Sequence, residues 1–223
     1  MNTFDAILSR KSVRSYTGEP ITDEQLEKIL LAGNAAPIAM GKYGDVHLTI
    51  VTNPELLERI NVAGGTMFGD PARKVLYGAP TLVVVSAVVP EELPQANVAF
   101  SNAAIVVENM ALAATDLGVG NVLIWGAIRA VNLDADLVAA FELPEGFTPC
   151  CALALGQSEV AYEVREVPPT RSRATSSPKA AVSGCPRRGS RTACGSSGRR
   201  CRRRRAARHG CPPRPRARRP PPR

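Results

Sequence analysis

The stretch QANVAFSNAAIVVENMALAATDL, residues 95–117, sets the architecture of the chain. Ala99, Ala103, Val106, Val107, Met110, Ala113 and Ala114 recur at helical spacing and leave little polar face. That pattern predicts a long helix at the centre of a core. Gly118 ends it. Before it, Thr81 to Val89 is an almost unbroken apolar run, which predicts a strand buried on both faces. After it, Val122-Leu123-Ile124-Trp125-Gly126 reads as a short strand or turn holding the only tryptophan. Leu133 to Phe141 reads as a short helix closed by Pro144, and Pro149 to Leu155 as a last core strand stopped by Gly156.

Toward the N-terminus, Tyr77-Gly78-Ala79-Pro80 is a turn and Ala63 to Lys74 a Gly-rich mobile loop. Asn53-Pro54 caps a helix carrying Leu56, Leu57 and Ile60, and Val46 to Thr52 is a strand. Ala35-Ala36-Pro37-Ile38-Ala39-Met40-Gly41 is a small-residue apolar loop, open either to a flat ligand or to the role of plain connector. Thr22 and Gln25 have capping-box spacing ahead of a helix with Leu26, Ile29, Leu30 and Gly33 as its inner stripe. Thr3 to Ser9 is a short helix with Phe4, Ile7 and Leu8 on one face. Helices and strands mix without regular βαβ alternation, which predicts an α+β fold.

Composition splits the chain of 223 residues in two. Residues 1–170 hold 10 Lys+Arg against 20 Asp+Glu, a net charge of −10, whereas residues 171–223 hold 18 Lys+Arg and no acid. The expected division is a folded domain at 1–171 and an Arg/Pro-rich tail at 172–223. Cys150 and Cys151 read as buried small hydrophobes. No secretory signal precedes the domain, and no apolar run reaches the ~20 residues that span a bilayer. A cytoplasmic protein with reduced thiols is expected.

The chemistry-bearing stretch is Arg10-Lys11-Ser12-Val13-Arg14-Ser15-Tyr16. In extended backbone Arg10, Ser12 and Arg14 share a side. Two guanidinium forks and a hydroxyl make a receptor for a phosphate joined to a polar ring, with a solvated basic turn as the alternative. No Gly-x-Gly-x-x-Gly fingerprint, P-loop, Ser-centred elbow or metal-spaced cluster accompanies it. His47, alone in a strand, reads as structural. So few reactive side chains beside a phosphate-type site imply a borrowed cofactor.

From about Phe4 to Arg171 the sequence resembles the nitroreductase family of FMN-dependent oxidoreductases. The likeness lies in the order and spacing of the Arg10–Tyr16 stretch, the Ala35–Met40 loop, Tyr77–Thr81, the helix Asn102–Leu117 and Gly118–Gly126. It implies a sandwich of a mixed, largely antiparallel sheet, with flanking helices around a long core helix. It also implies a homodimer with FMN at the interface. NADH or NADPH would reduce the flavin through N5, and a nitroaromatic, quinone or similar electrophile would then leave with the electrons. By position, Arg10 and Ser12 would hold the phosphate and ribityl end, with Lys11 beside them, and Arg14 would reach the ring near N1. Pro37, Ile38 and Met40 would pack on it from the partner subunit. Ile124, Trp125 and Gly126 would lie along it, Gly126 offering an N–H toward N5, and Arg171 would be a late phosphate ligand. No side chain is expected to be catalytic and no metal is expected.

Two departures stand out. Gly41-Lys42-Tyr43-Gly44-Asp45 replaces the family's Gln-Pro-Trp, and the pattern is lost after Arg171. The tail lacks apolar periodicity and reads as disordered. It is either an arginine-rich nucleic-acid arm or the product of a shifted reading frame. A flavin-binding protein without turnover is a further alternative to the enzyme.

Overall fold

The computed structural model describes residues 1–172. The expected disordered tail, its boundary and its nucleic-acid reading lie outside the described residues. Four strands, β1 (Val46–Val51), β2 (Thr81–Val88), β3 (Gly120–Ile124) and β4 (Phe147–Gly156), form a sheet in the order β1-β2-β4-β3. Every pair is antiparallel, so among the described residues the sheet is not mixed. Length and apolarity of a strand do not encode the direction of its neighbour, and the sequence pattern was silent on it.

Among the described residues six α-helices flank the sheet: α1 (Thr3–Ser9), α2 (Asp23–Asn34), α3 (Pro54–Met67), α4 (Leu93–Asp116), α5 (Gly126–Val131) and α6 (Ala135–Ala139). Side chains alternate along the central strands. Val83, Val85, Leu153 and Leu155 meet α2 and α4, with α1 resting on α4. Leu82, Val84, Ala152 and Ala154 meet α3, α5 and α6 on the other face. Both faces of β2 are therefore buried, as its unbroken apolar run predicts. A bulge between Val85 and Ser86 breaks the alternation opposite Cys150. It turns Cys150 and Cys151 into the same core. Burial pushes the Cys150 thiol up to about 11 and that of Cys151 to about 12, so both stay protonated and unreactive near neutrality.

Local signals account for several helix starts. Thr22 Oγ1 accepts from Gln25 N at 3.2 Å, and Gln25 Oε1 accepts from Thr22 N at 3.0 Å. Such a cap contributes about 1 kcal/mol. Asn53 Oδ1 accepts from Glu55 N and Leu56 N ahead of Pro54. Of the segment expected as a mobile loop, Ala63–Met67 is instead the last turn of α3, and its glycines answer to packing. A Cβ on Gly64 would lie 2.6 Å from Val75 Cγ2, and one on Gly65 would lie 2.5 Å from Asp70 O.

The central helix begins two residues before the expected start, with Pro94 in its first turn. It is also less enclosed than expected. Ala99, Ala103, Val106, Val107, Met110 and Ala114 are buried, but Val98 and Ile105 are exposed, as are Phe4 and Ile7 on α1. By length and composition alone α4 passes as a membrane span, a test that buried core helices also pass. Its inner face is committed to the sheet and to α2, where Gly33 admits Met110 at a distance that no Cβ would allow.

Candidate functional site

The Arg10–Tyr16 stretch runs beside β3 and is pinned at two points. Val13 is buried, and its N–H donates to Asn121 O at 2.9 Å. The ring of Tyr16 fills space left by two glycines, since Cβ atoms on Gly120 and Gly156 would come within 3.1 and 2.9 Å of it. Its hydroxyl donates to Val13 O, and burial pushes its pKa upward, so it remains a neutral donor. Anchoring Val13 leaves Ser12 and Arg14 facing outward, as alternation predicts.

Arg10 departs from that outward row. Its Nε pairs with Glu108 on α4 at 3.4 Å, and Nη1 is buried without a hydrogen-bond partner. A guanidinium donor in that condition is costly unless a further acceptor arrives. Lys11 is half-buried beside it.

Arg14 lies over the ring of Tyr77, 5.6 Å from its centroid. Tyr77 has φ 58°, a left-handed conformation that costs a non-glycine residue about 1–3 kcal/mol. It lines a cleft of ≈ 230 Å³ with Phe68, Arg73, Ile124, Trp125 and Gly126. Trp125 is half-exposed there, whereas Ile124 has its side chain in the core. A Cβ on Gly126 would strike Phe68 Cζ at 2.6 Å, so glycine is what lets this ring close over the backbone.

The Pro37–Met40 loop, expected to pack from the partner subunit, lies apart from this cleft within one chain. Met40, at φ 58° and exposed, borders a separate groove with Ala39, Val98 and Asn102. Asn102 Oδ1 accepts from Ala39 N at 3.2 Å and fixes the loop on α4. Pro37 is exposed, whereas Ile38 is buried in the core on the α2–α4 face of the sheet. The structure thus stacks Arg14 on Tyr77, which lines the cleft with Ile124, Trp125 and Gly126, while within one chain Pro37, Ile38 and Met40 lie apart from it.

The C-terminal segment contributes residues that no sequence pattern marks. Arg165 donates from Nε to Leu8 O at 2.9 Å and from Nη2 to Arg10 O at 2.7 Å. It closes the open end of α1 where the Arg10 stretch begins. Tyr162 donates to Val119 O at 2.9 Å and accepts from Asn121 Nδ2 at 2.7 Å. Burial raises its pKa while the nearby Arg10 cation acts in the opposite direction. Arg171 is exposed, and its backbone N–H donates to Pro168 O.

A family model described as Nitroreductase family matches residues 7–64 and 66–157. The solved structure of a nitroreductase with bound FMN from Bacteroides fragilis is 28% identical, with a TM-score of 0.65 over 79% of this chain and 100% of that one. The NADPH-flavin oxidoreductase of Vibrio harveyi is 28% identical over 74% of this chain and 69% of its own length. A nitroreductase with bound FMN from Desulfitobacterium hafniense, 23% identical, has the same fold, with a TM-score of 0.68 over 79% of this chain and 100% of that one.

Proposed function

This chain belongs to the nitroreductase family, and from that premise we propose that it is an FMN-dependent oxidoreductase of the cytoplasm. It takes reducing equivalents from NADH or NADPH and delivers them to a small conjugated electrophile such as a nitroaromatic or a quinone. The observation that carries this reading is the Arg10–Tyr16 stretch, which stacks Arg14 on the cleft residue Tyr77 and holds at Arg10 a buried Nη1 without an acceptor.

FMN, when bound, supplies the two-electron chemistry that no side chain here can supply. Arg10 and Ser12 would hold its phosphate, with Lys11 alongside. Arg14, held on Tyr77, would set a cation where negative charge grows on reduction, and needs no reorganisation to do so. Gly126 would offer its backbone N–H, and Trp125 with Phe68 would narrow the access of water.

The loop contacts and the cleft contacts belong to cores on opposite faces of the sheet, with Ile38 in one and Ile124 in the other. One chain therefore holds two incomplete halves, and a homodimer would bring the Pro37–Met40 loop of one copy to the cleft of the other. The exposed apolar residues Phe4, Ile7, Val98 and Ile105 are a surface fit for that contact.

The test is a spectrum with a mass measurement. Purified protein should be yellow, should bleach with NADPH or NADH in the absence of air, and should run as a dimer in light scattering. A colourless protein that ignores added FMN ends the proposal.

A further inference from the structure

We infer that Arg73 selects the acceptor, favouring conjugated electrophiles that carry a carboxylate or another anionic group. The inference rests on the flavin reading above and extends it to a substrate class. Arg73 and Phe68 line the same cleft as Trp125 and Gly126. The Arg73 guanidinium carbon stands 5.1 Å from the Phe68 centroid, and the Phe68 ring in turn presses on Gly126. Cation, ring and backbone are layered in that order, which puts the charge at the lip of the cleft.

The backbone behind that cation is fixed. Asp70 N donates to Gly65 O at 2.9 Å and Arg73 N to Asp70 O at 3.0 Å. The carbonyls of Asp70, Pro71 and Arg73 crowd the α-carbon of Gly65 so closely that only glycine fits beneath them. The Asp70 carboxylate is occupied by Ala72 N. A planar aromatic ring under the guanidinium further restricts where the charge can go.

Charge makes the position unusual. Lys74, next in sequence, is neutralised by Glu58, whose pKa is lowered by that hydrogen bond. Among the described residues no carboxylate lies within ion-pair distance of Arg73 or Arg14, and residues 171–223 contain no acid at all. No acidic side chain lines the cleft. Residues 1–170 carry a net charge of −10, so the domain as a whole repels anions. Arg73 is then the one guanidinium lining this aromatic-walled opening among the described residues, with Arg14 stacked on Tyr77 of the same wall, and an anion meets a favourable field there.

The experiment uses the oxidised holoenzyme without reductant, titrated with 4-nitrobenzoate and with its neutral isostere 4-nitrobenzamide, and read from the flavin absorption band. The wild-type protein should bind the carboxylate about two- to fivefold more tightly than the amide, the scale of an exposed ion pair. Arg73→Ala should bring that ratio to about one, and Arg73→Lys should keep most of it, because charge rather than fork geometry is required. Raising the salt from ~0.02 M to ~0.5 M should shrink the wild-type ratio. Equal binding of the two probes by the wild type overturns the proposal, and so does a ratio that survives Arg73→Ala. A rise in NADPH requirement with the probe ratio unchanged also overturns it, by assigning Arg73 to the dinucleotide phosphates. Failure to take up flavin at all sinks the underlying reading instead, and the colour of the protein tells the two failures apart.

Discussion

Arg10→Ala is expected to weaken FMN binding about 100-fold while leaving the domain folded. The guanidinium meets Glu108 with Nε at 3.4 Å and keeps Nη1 buried with no partner. A phosphate would give that donor its acceptor, and each charge-assisted hydrogen bond contributes about 1.5–3 kcal/mol. Losing one such bond and the charge behind it corresponds to about two decades of affinity. Stability of the apoprotein should hardly change. The substitution deletes an unsatisfied donor, and Glu108 is exposed enough to recover its water. Arg10→Lys should fall between, since it restores charge without the fork. Equilibrium titration of apoprotein with FMN measures the loss, and an unchanged dissociation constant for Arg10→Ala would remove this residue from the phosphate site.

Gly65→Ala is expected to lower unfolding stability by about 2 kcal/mol and to disturb the cleft as well. Helix propensity argues the other way, because alanine gains about 1 kcal/mol over glycine inside a helix. Here that gain loses. A Cβ would lie 2.5 Å from Asp70 O and 2.9 Å from Arg73 O, and both atoms are backbone, so the whole 68–73 turn has to move. Phe68 and Arg73 move with it, which couples a packing defect in α3 to the shape of the cleft. Gly44→Ala is the control, since nothing lies within 4 Å of a Cβ there. Denaturant midpoints for the two variants, with FMN affinity beside them, give the comparison. An alanine at 65 that raises the midpoint would show that the turn yields freely.

The same glycine shows where sequence reasoning stops. Thr22 with Gln25, and Asn53 with Pro54, announce their helices because donor and acceptor lie within one turn. The two faces of β2 are legible for a similar reason, as an unbroken apolar run has no side to give to water. Gly64 and Gly65 read as a loop because their partners, Val75 and Asp70, are set by folding rather than by adjacency. Alternation foretold the outward Ser12 and Arg14 but not the turn of Arg10 toward Glu108, which depends on a helix almost one hundred residues on. Arg165 has no local signature at all, since its acceptors are bare carbonyls at the end of α1.

Trp125 has a practical consequence. It is the chain's only indole, and it stands half-exposed in the cleft wall. Emission excited selectively through the indole therefore comes from a single fluorophore at the place where a yellow chromophore would sit. Energy transfer to such a chromophore should darken nearly all of the indole signal, not a fraction of it. Occupancy can then be followed in dilute solution without any label.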